Sequence, residues 1–221
     1  MAQNPAVRYI GPFAVFVGLL YLFRTLVLPD LVAQVAFVSL MAVIVIVVGR
    51  PVVDLRVRHV WTTVPLGILV FVLWILPDLF WPGYRHYWLF ENALLGMPHP
   101  SLSLSGQTNL GVILLRSVRA TVIVPIVEEL FWRGWLMRWL IQPDFEKVPL
   151  GTWSAQAFWI TAVLFATEHG SYWDVGLMAG ILYNWWMIRT KSLGDLILAH
   201  GITNGLLCVY VVAYGKWEYW S

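Results

Sequence analysis

Ile123–Ile141, IVPIVEELFWRGWLMRWLI, decides how this chain folds. Apart from Pro125, Glu128, Glu129, Arg133, Gly134 and Arg138, every residue in it is Val, Ile, Leu, Met, Phe or Trp. A run of this length and composition matches the ~20 residues that carry a helix across a ~30 Å hydrocarbon core. Two adjacent carboxylates at that depth cost about 2.5–3.5 kcal/mol each. Their retention calls for chemistry, ion or proton handling, or a structural ion pair, and the other polar residues decide between these.

The rest of the chain has the same character. Of 221 residues, 60% are hydrophobic and 12% charged, against roughly 25% charged in soluble domains. This composition specifies an integral multi-pass membrane protein. The other apolar runs are Tyr9–Leu28, Leu31–Val48, Val60–Phe80, Trp153–Ala166, Val175–Ile188 and Leu193–Tyr214, and the fourth run in chain order extends over Leu110–Ile141. Backbone polar groups in lipid must pair within their own segment, so the runs are helices. The expected fold is all-α, a single membrane domain over residues 1–221. It is a polytopic bundle of about seven transmembrane helices, or eight if Pro125 divides the fourth run.

The borders follow the same logic. Trp61, Trp81, Trp88, Trp153, Trp173, Trp217 and Trp220 lie near run ends, where an amphipathic ring suits the headgroup level. The first run follows Arg8 and is as long as a full span, so it is expected to be retained rather than cleaved as a signal peptide. Arg24, near its end, snorkels to the interface. Gly49–His59 (GRPVVDLRVRH) is a short basic loop, and Trp81–Asn109 is the longest polar connection, expected outside the membrane as a surface helix or lid. With alternating spans, Arg8, the basic loop, Arg138 to Lys147, and Arg189 with Lys191 share one side. The positive-inside bias places that side, with the N-terminus, in the cytoplasm, expected to be that of a prokaryotic cell. Arg116 and Arg119 sit at the interface or face the interior. Cys208 is the single cysteine, which excludes an internal disulfide. The net charge of +2 gives no reason to expect a nucleic-acid partner, no internal repeat supports a transporter, and the oligomeric state is left open.

Three helices carry the polar residues. Glu128 and Glu129 point about 100° apart on a helix, so they face different neighbours. Arg133, four residues after Glu129, lies at the spacing where side chains meet. That pairing leaves Glu128 to project alone. Phe165 and His169 are also four apart, with Glu168 and Asp174 close enough in sequence to tune or orient His169. His200 and Asn204 repeat the spacing, beside Gly201 and Gly205, whose small size lets another helix approach. Asp195 begins or caps that last span. A carboxylate and an imidazole can activate water, and an imidazole with a carboxamide can bind an oxyanion. Hydrolysis of an amide follows from such a set.

In this order and spacing, Glu128-Glu129-x-x-x-Arg133, Phe165-x-x-x-His169 and His200-x-x-x-Asn204 resemble the three motifs of the CAAX protease and bacteriocin-processing family, which includes the type II CAAX prenyl endopeptidases. The resemblance covers about residues 120–208. It implies an intramembrane protease whose site lies in a cavity formed by the C-terminal half. Glu128 and His169 would activate water, His200 and Asn204 would hold the oxyanion, Glu129 and Arg133 would be the supporting pair, and Phe165 belongs to the second motif. The implied partners are the lipid bilayer and a membrane-anchored protein or peptide, prenylated or not. The N-terminal half matches no motif.

Other readings stand beside this one. No cofactor is expected. The alternative is a zinc enzyme using Glu128, His169 and His200 as ligands, although no His-Glu-x-x-His pair is present. Cys208 lies eight residues from His200, about 12 Å along the helix, too far for proton transfer within it. A non-catalytic immunity or scaffold protein, and a proton or ion pathway, are the remaining classes.

Overall fold

The computed structural model describes residues 4–92 and 100–220. Seven principal helices follow one another: α1 (Val7–Thr25), α2 (Asp30–Gly49), α3 (Val60–Phe80), α4 (Leu110–Trp139), α5 (Ala155–Thr167), α6 (Trp173–Thr190) and α7 (Leu193–Tyr214). A short helix, Leu104–Thr108, precedes α4, and no strand element occurs among the described residues. The all-α expectation holds. By length and composition α1, α2, α3, α4 and α7 can each cross a membrane, while α5 is apolar but has only 13 residues. Large side chains such as Tyr21, Val27, Val43, Ile46 and Val47 remain exposed on α1, on α2 and in the turn between them, as a lipid-facing surface requires.

The helices alternate in direction. At one end Ser192 bonds the Arg56 carbonyl, Asp195 accepts the backbone N–H groups of Arg58 and His59, and Tyr9 packs edge-on against Phe145. The basic loops therefore do share one end of the bundle. The N-cap of α7 is Ser192 rather than Asp195, whose fully buried carboxylate instead fastens the α2–α3 loop and accepts from Thr63. At the opposite end Arg85 is buried, pairing with Asp78 and Asp174 and donating to the Ser171 carbonyl. Tyr219 donates to Asp78 there, and burial followed by that contact pushes its phenol up.

Three expectations are corrected. Pro125 does not split the fourth run, because α4 is continuous over 30 residues. The helix widens at Arg119–Ile123, so the Val124 N–H bonds the Arg119 carbonyl, five residues back. This π-type turn accommodates a proline whose ring would clash in a regular helix. Trp220 is buried against Leu102, Val112, Cys208 and Val211 rather than anchored at an interface, because the C-terminal turn folds back onto α4 and α7. The Trp81–Asn109 connection is held partly inside by Arg85; of the expected lid or surface helix, residues 93–99 lie outside the described residues.

α7 is the central helix. Gly67 of α3 lies so close to it that a Cβ there would meet the Ala199 carbonyl at 2.6 Å, and Gly201 meets the Thr121 carbonyl of α4 at 2.9 Å in the same way. Thr203 donates to the Gly67 carbonyl at 2.9 Å across the first of these contacts. These close approaches bring His200 and Asn204 against α4.

Candidate active site

Glu128, Glu129 and Arg133 are buried on α4, the last two completely. Arg133 Nη1 donates to both carboxylate oxygens of Glu129 at 3.1 Å. Its Nε donates to Asn184 Oδ1 at 2.8 Å, and the guanidinium lies 4.5 Å from the Phe165 ring centre. A buried charge is tolerable only when its donors are placed this fully. The expected pair is present, yet Glu129 has a second partner absent from the sequence reading: His200 Nδ1 lies 2.8 Å from its Oε1. One carboxylate thus joins the first motif to the third. Asn184 on α6, which also bonds the Phe158 carbonyl, was missed because its role exists only across helices.

The ring nitrogens are oriented by these contacts. His169 Nδ1 lies 2.8 Å from the Phe165 carbonyl, which can only accept, so Nδ1 carries the proton. In the neutral ring Nε2 then holds a lone pair. His200 likewise directs Nδ1–H at Glu129 and turns Nε2 to Glu128 Oε2, 4.0 Å away. That Glu128 oxygen has no hydrogen-bond partner. Glu168 accepts from Trp132 Nε1 at 3.0 Å, whereas Asp174 is engaged by Arg85 and Tyr84 and does not orient His169.

Asn204 is placed by Pro125. The Ala120 carbonyl would bond the N–H of Val124 or of residue 125, but Val124 bonds Arg119 and Pro125 has no N–H. Asn204 Nδ2 takes up this orphaned carbonyl at 2.9 Å, leaving its second amide hydrogen uncommitted.

Glu128, Phe165, Glu168, His169, His200 and Asn204 share the lining of one cavity of about 920 Å³. All four residues expected to do chemistry face the same space, and Glu129 and Arg133 stand behind it. Helix α5 is about 20 Å long at ~1.5 Å per residue, shorter than the hydrocarbon core, and half-buried His169 follows its last turn. The cavity extends to the end formed by Leu26, Leu28, Asp30, Pro100 and Ser101, opposite the basic loops. Among the described residues, no three His, Cys, Asp or Glu side chains are gathered closely enough to hold a metal ion.

Residues 110–206 match the family model described as type II CAAX prenyl endopeptidase Rce1-like. Over this stretch, 97 of the 221 residues, the chain is similar to that family. The matched region begins at α4 and ends just past Asn204, so it contains all three motifs and excludes α1, α2 and α3. The similarity supports a CAAX-type membrane protease in general terms. No curated protein and no solved structure matches the chain.

Proposed function

We propose that this protein is an intramembrane endopeptidase that hydrolyses a peptide bond of a membrane-associated substrate, with water activated by Glu128 and His169. The observation that carries the reading is the shared cavity, into which an unpartnered Glu128 oxygen faces His200 Nε2 while His169 keeps an unprotonated Nε2.

In this mechanism the attacking water lies between Glu128 and His169 and gives up a proton as its oxygen bonds to the scissile carbonyl carbon. The carbonyl oxygen gathers negative charge and accepts hydrogen bonds from His200 Nε2 and the free amide hydrogen of Asn204. His200 offers an N–H at Nε2 only as the imidazolium, because Nδ1–H is already held by Glu129. The Glu129 carboxylate lies where it offsets that charge, and Arg133 keeps the carboxylate in place. Collapse of the tetrahedral intermediate breaks the C–N bond, and the proton taken from water passes to the departing nitrogen. No metal takes part in these steps. By the positive-inside rule the basic end, with the N-terminus, is cytoplasmic.

The test is a pair of substitutions in the full-length protein, Glu128→Gln and His169→Ala, assayed on membrane-anchored peptides. Both should abolish cleavage while expression and thermal stability in detergent stay near wild type. Cleavage surviving in either variant would remove that residue from water activation.

A further inference from the structure

The cavity reaches only one end of the bundle. Arg50, Arg56, Arg58, Lys147, Arg189 and Lys191 are exposed at the end where the α2–α3, α4–α5 and α6–α7 connections meet. At the opposite end the exposed cations among the described residues are Arg24 and Lys216, and Lys216 is paired with Glu218 at 3.7 Å. An excess of this kind marks the cytoplasmic side. Among the described residues, none that lines the cavity belongs to the basic connections, whereas Leu26, Leu28, Asp30, Pro100 and Ser101 at the opposite end all do.

Between the site and the basic end the protein is packed. Seven residues, about 10 Å at ~1.5 Å per residue, separate Leu193 at the start of α7 from His200. Leu193, Leu196 and Ile197 on that stretch are buried with Leu130 of α4 and Met187 of α6 in one apolar cluster. Arg133, wholly buried, closes the same region through Glu129 and Asn184. Over the start of α7 lies the α2–α3 loop, so close that a Cβ at Gly194 would overlap the Arg56 carbonyl. In the other direction 14 residues, about 21 Å, run from His200 to Tyr214, and along them Asn204, Leu207 and Cys208 line the cavity. The site is therefore nearer the basic end but open toward the other. Val17 and Leu26 line the cavity while remaining 46% and 45% exposed, so its wall there is also the lipid boundary, where an anchored substrate can approach.

We infer that the active site opens to the non-cytoplasmic face of the membrane, so that its substrates are exported proteins, anchored in the bilayer, whose scissile segment lies outside the cytoplasm. An extended segment covers the depth from the end of α7 to His200 in about six residues at ~3.3 Å each, so the cleaved stretch is unfolded over that length. The inference rests on the endopeptidase reading and adds to it the side from which substrate comes.

The test uses the full-length protein in sealed spheroplasts and in sealed inverted membrane vesicles, with Cys208→Ser as background and a charged, membrane-impermeant methanethiosulfonate as probe. Val27→Cys, in the fully exposed turn between α1 and α2, reports orientation. Ala120→Cys, half-buried in the cavity wall on α4, reports access, and Leu207→Cys on α7 repeats that measurement from another helix. All three should react about tenfold or more faster in spheroplasts, because a charged probe does not cross the bilayer, and Lys147→Cys should react faster in inverted vesicles. With the wild-type protein, an N-palmitoyl peptide too charged to cross the bilayer should be cleaved by spheroplasts and spared by inverted vesicles until detergent is added. Modification of Val27→Cys from the cytoplasmic face overturns the inference. So does modification of the two cavity cysteines at equal rates from both faces, faster from the cytoplasmic face, or from neither. The two ideas fail separately. Outside access to the cavity cysteines without cleavage of any peptide in detergent would sink the protease reading alone, and cleavage confined to inverted vesicles would sink the outward opening alone.

Discussion

At the scale of residues, the adjacent glutamates divide into two environments. Glu129 is fully buried and serves both Arg133 and His200, so Glu129→Gln leaves Arg133 without its carboxylate. The expected loss is about 3–5 kcal/mol of stability, read by thermal unfolding in detergent, together with loss of activity. Glu128→Gln breaks no hydrogen bond or close ion pair, its nearest charged group being His200 Nε2 at 4.0 Å. It should leave stability near wild type and lower turnover by about 10²–10⁴, the contribution of a positioned base. A common stability loss for both would refute the division. The i,i+4 spacing made the Glu129–Arg133 pair legible in the sequence. The Glu129–His200 contact was not legible, because those residues are 71 positions apart and nothing local marks their approach.

At the scale of elements, α4 shows how a helix defect sets a side chain. Pro125 removes the donor that would satisfy Ala120, and Asn204 replaces it. Asn204→Leu should cost about 1–2 kcal/mol by leaving that carbonyl unpaired. In a Pro125→Ala background the restored N–H can take the carbonyl, so the second loss should be smaller by at least about 0.5 kcal/mol in a double-mutant cycle. Additive losses would contradict the link. Proline in an apolar run announced a perturbation, but sequence alone did not separate a break from a widened turn. The outcome depended on a carboxamide from another helix. Gly67 is similar: its need for smallness appears only where α7 crosses α3, and Gly67→Ala should destabilise by about 1–3 kcal/mol through the contact with the Ala199 carbonyl.

At the scale of the whole molecule, the bundle was legible because lipid removes the alternatives to helix, and the seven apolar runs correspond to the seven principal helices. Depth was harder to read. Helix α5 is short, and His169, just past its end, lines the same cavity as His200, two turns into α7. The cavity needs α1 and α2 for its wall, through Phe16, Leu20, Gln34 and Phe37, although these helices carry no motif. Excess chelator should leave cleavage unchanged, and full loss with recovery on adding zinc would favour the metal reading. Cys208 lines the cavity beyond Asn204, and Cys208→Ser should leave turnover intact, since a large loss would reassign the nucleophile. The most direct measurement of the central claim is mass spectrometry of a membrane-anchored peptide incubated with wild-type protein and with Glu128→Gln protein at equal folded amounts. A new carboxyl terminus should form with the wild type and be absent with Glu128→Gln. Its formation at equal rates with both, or with neither, would contradict glutamate-dependent hydrolysis in this cavity.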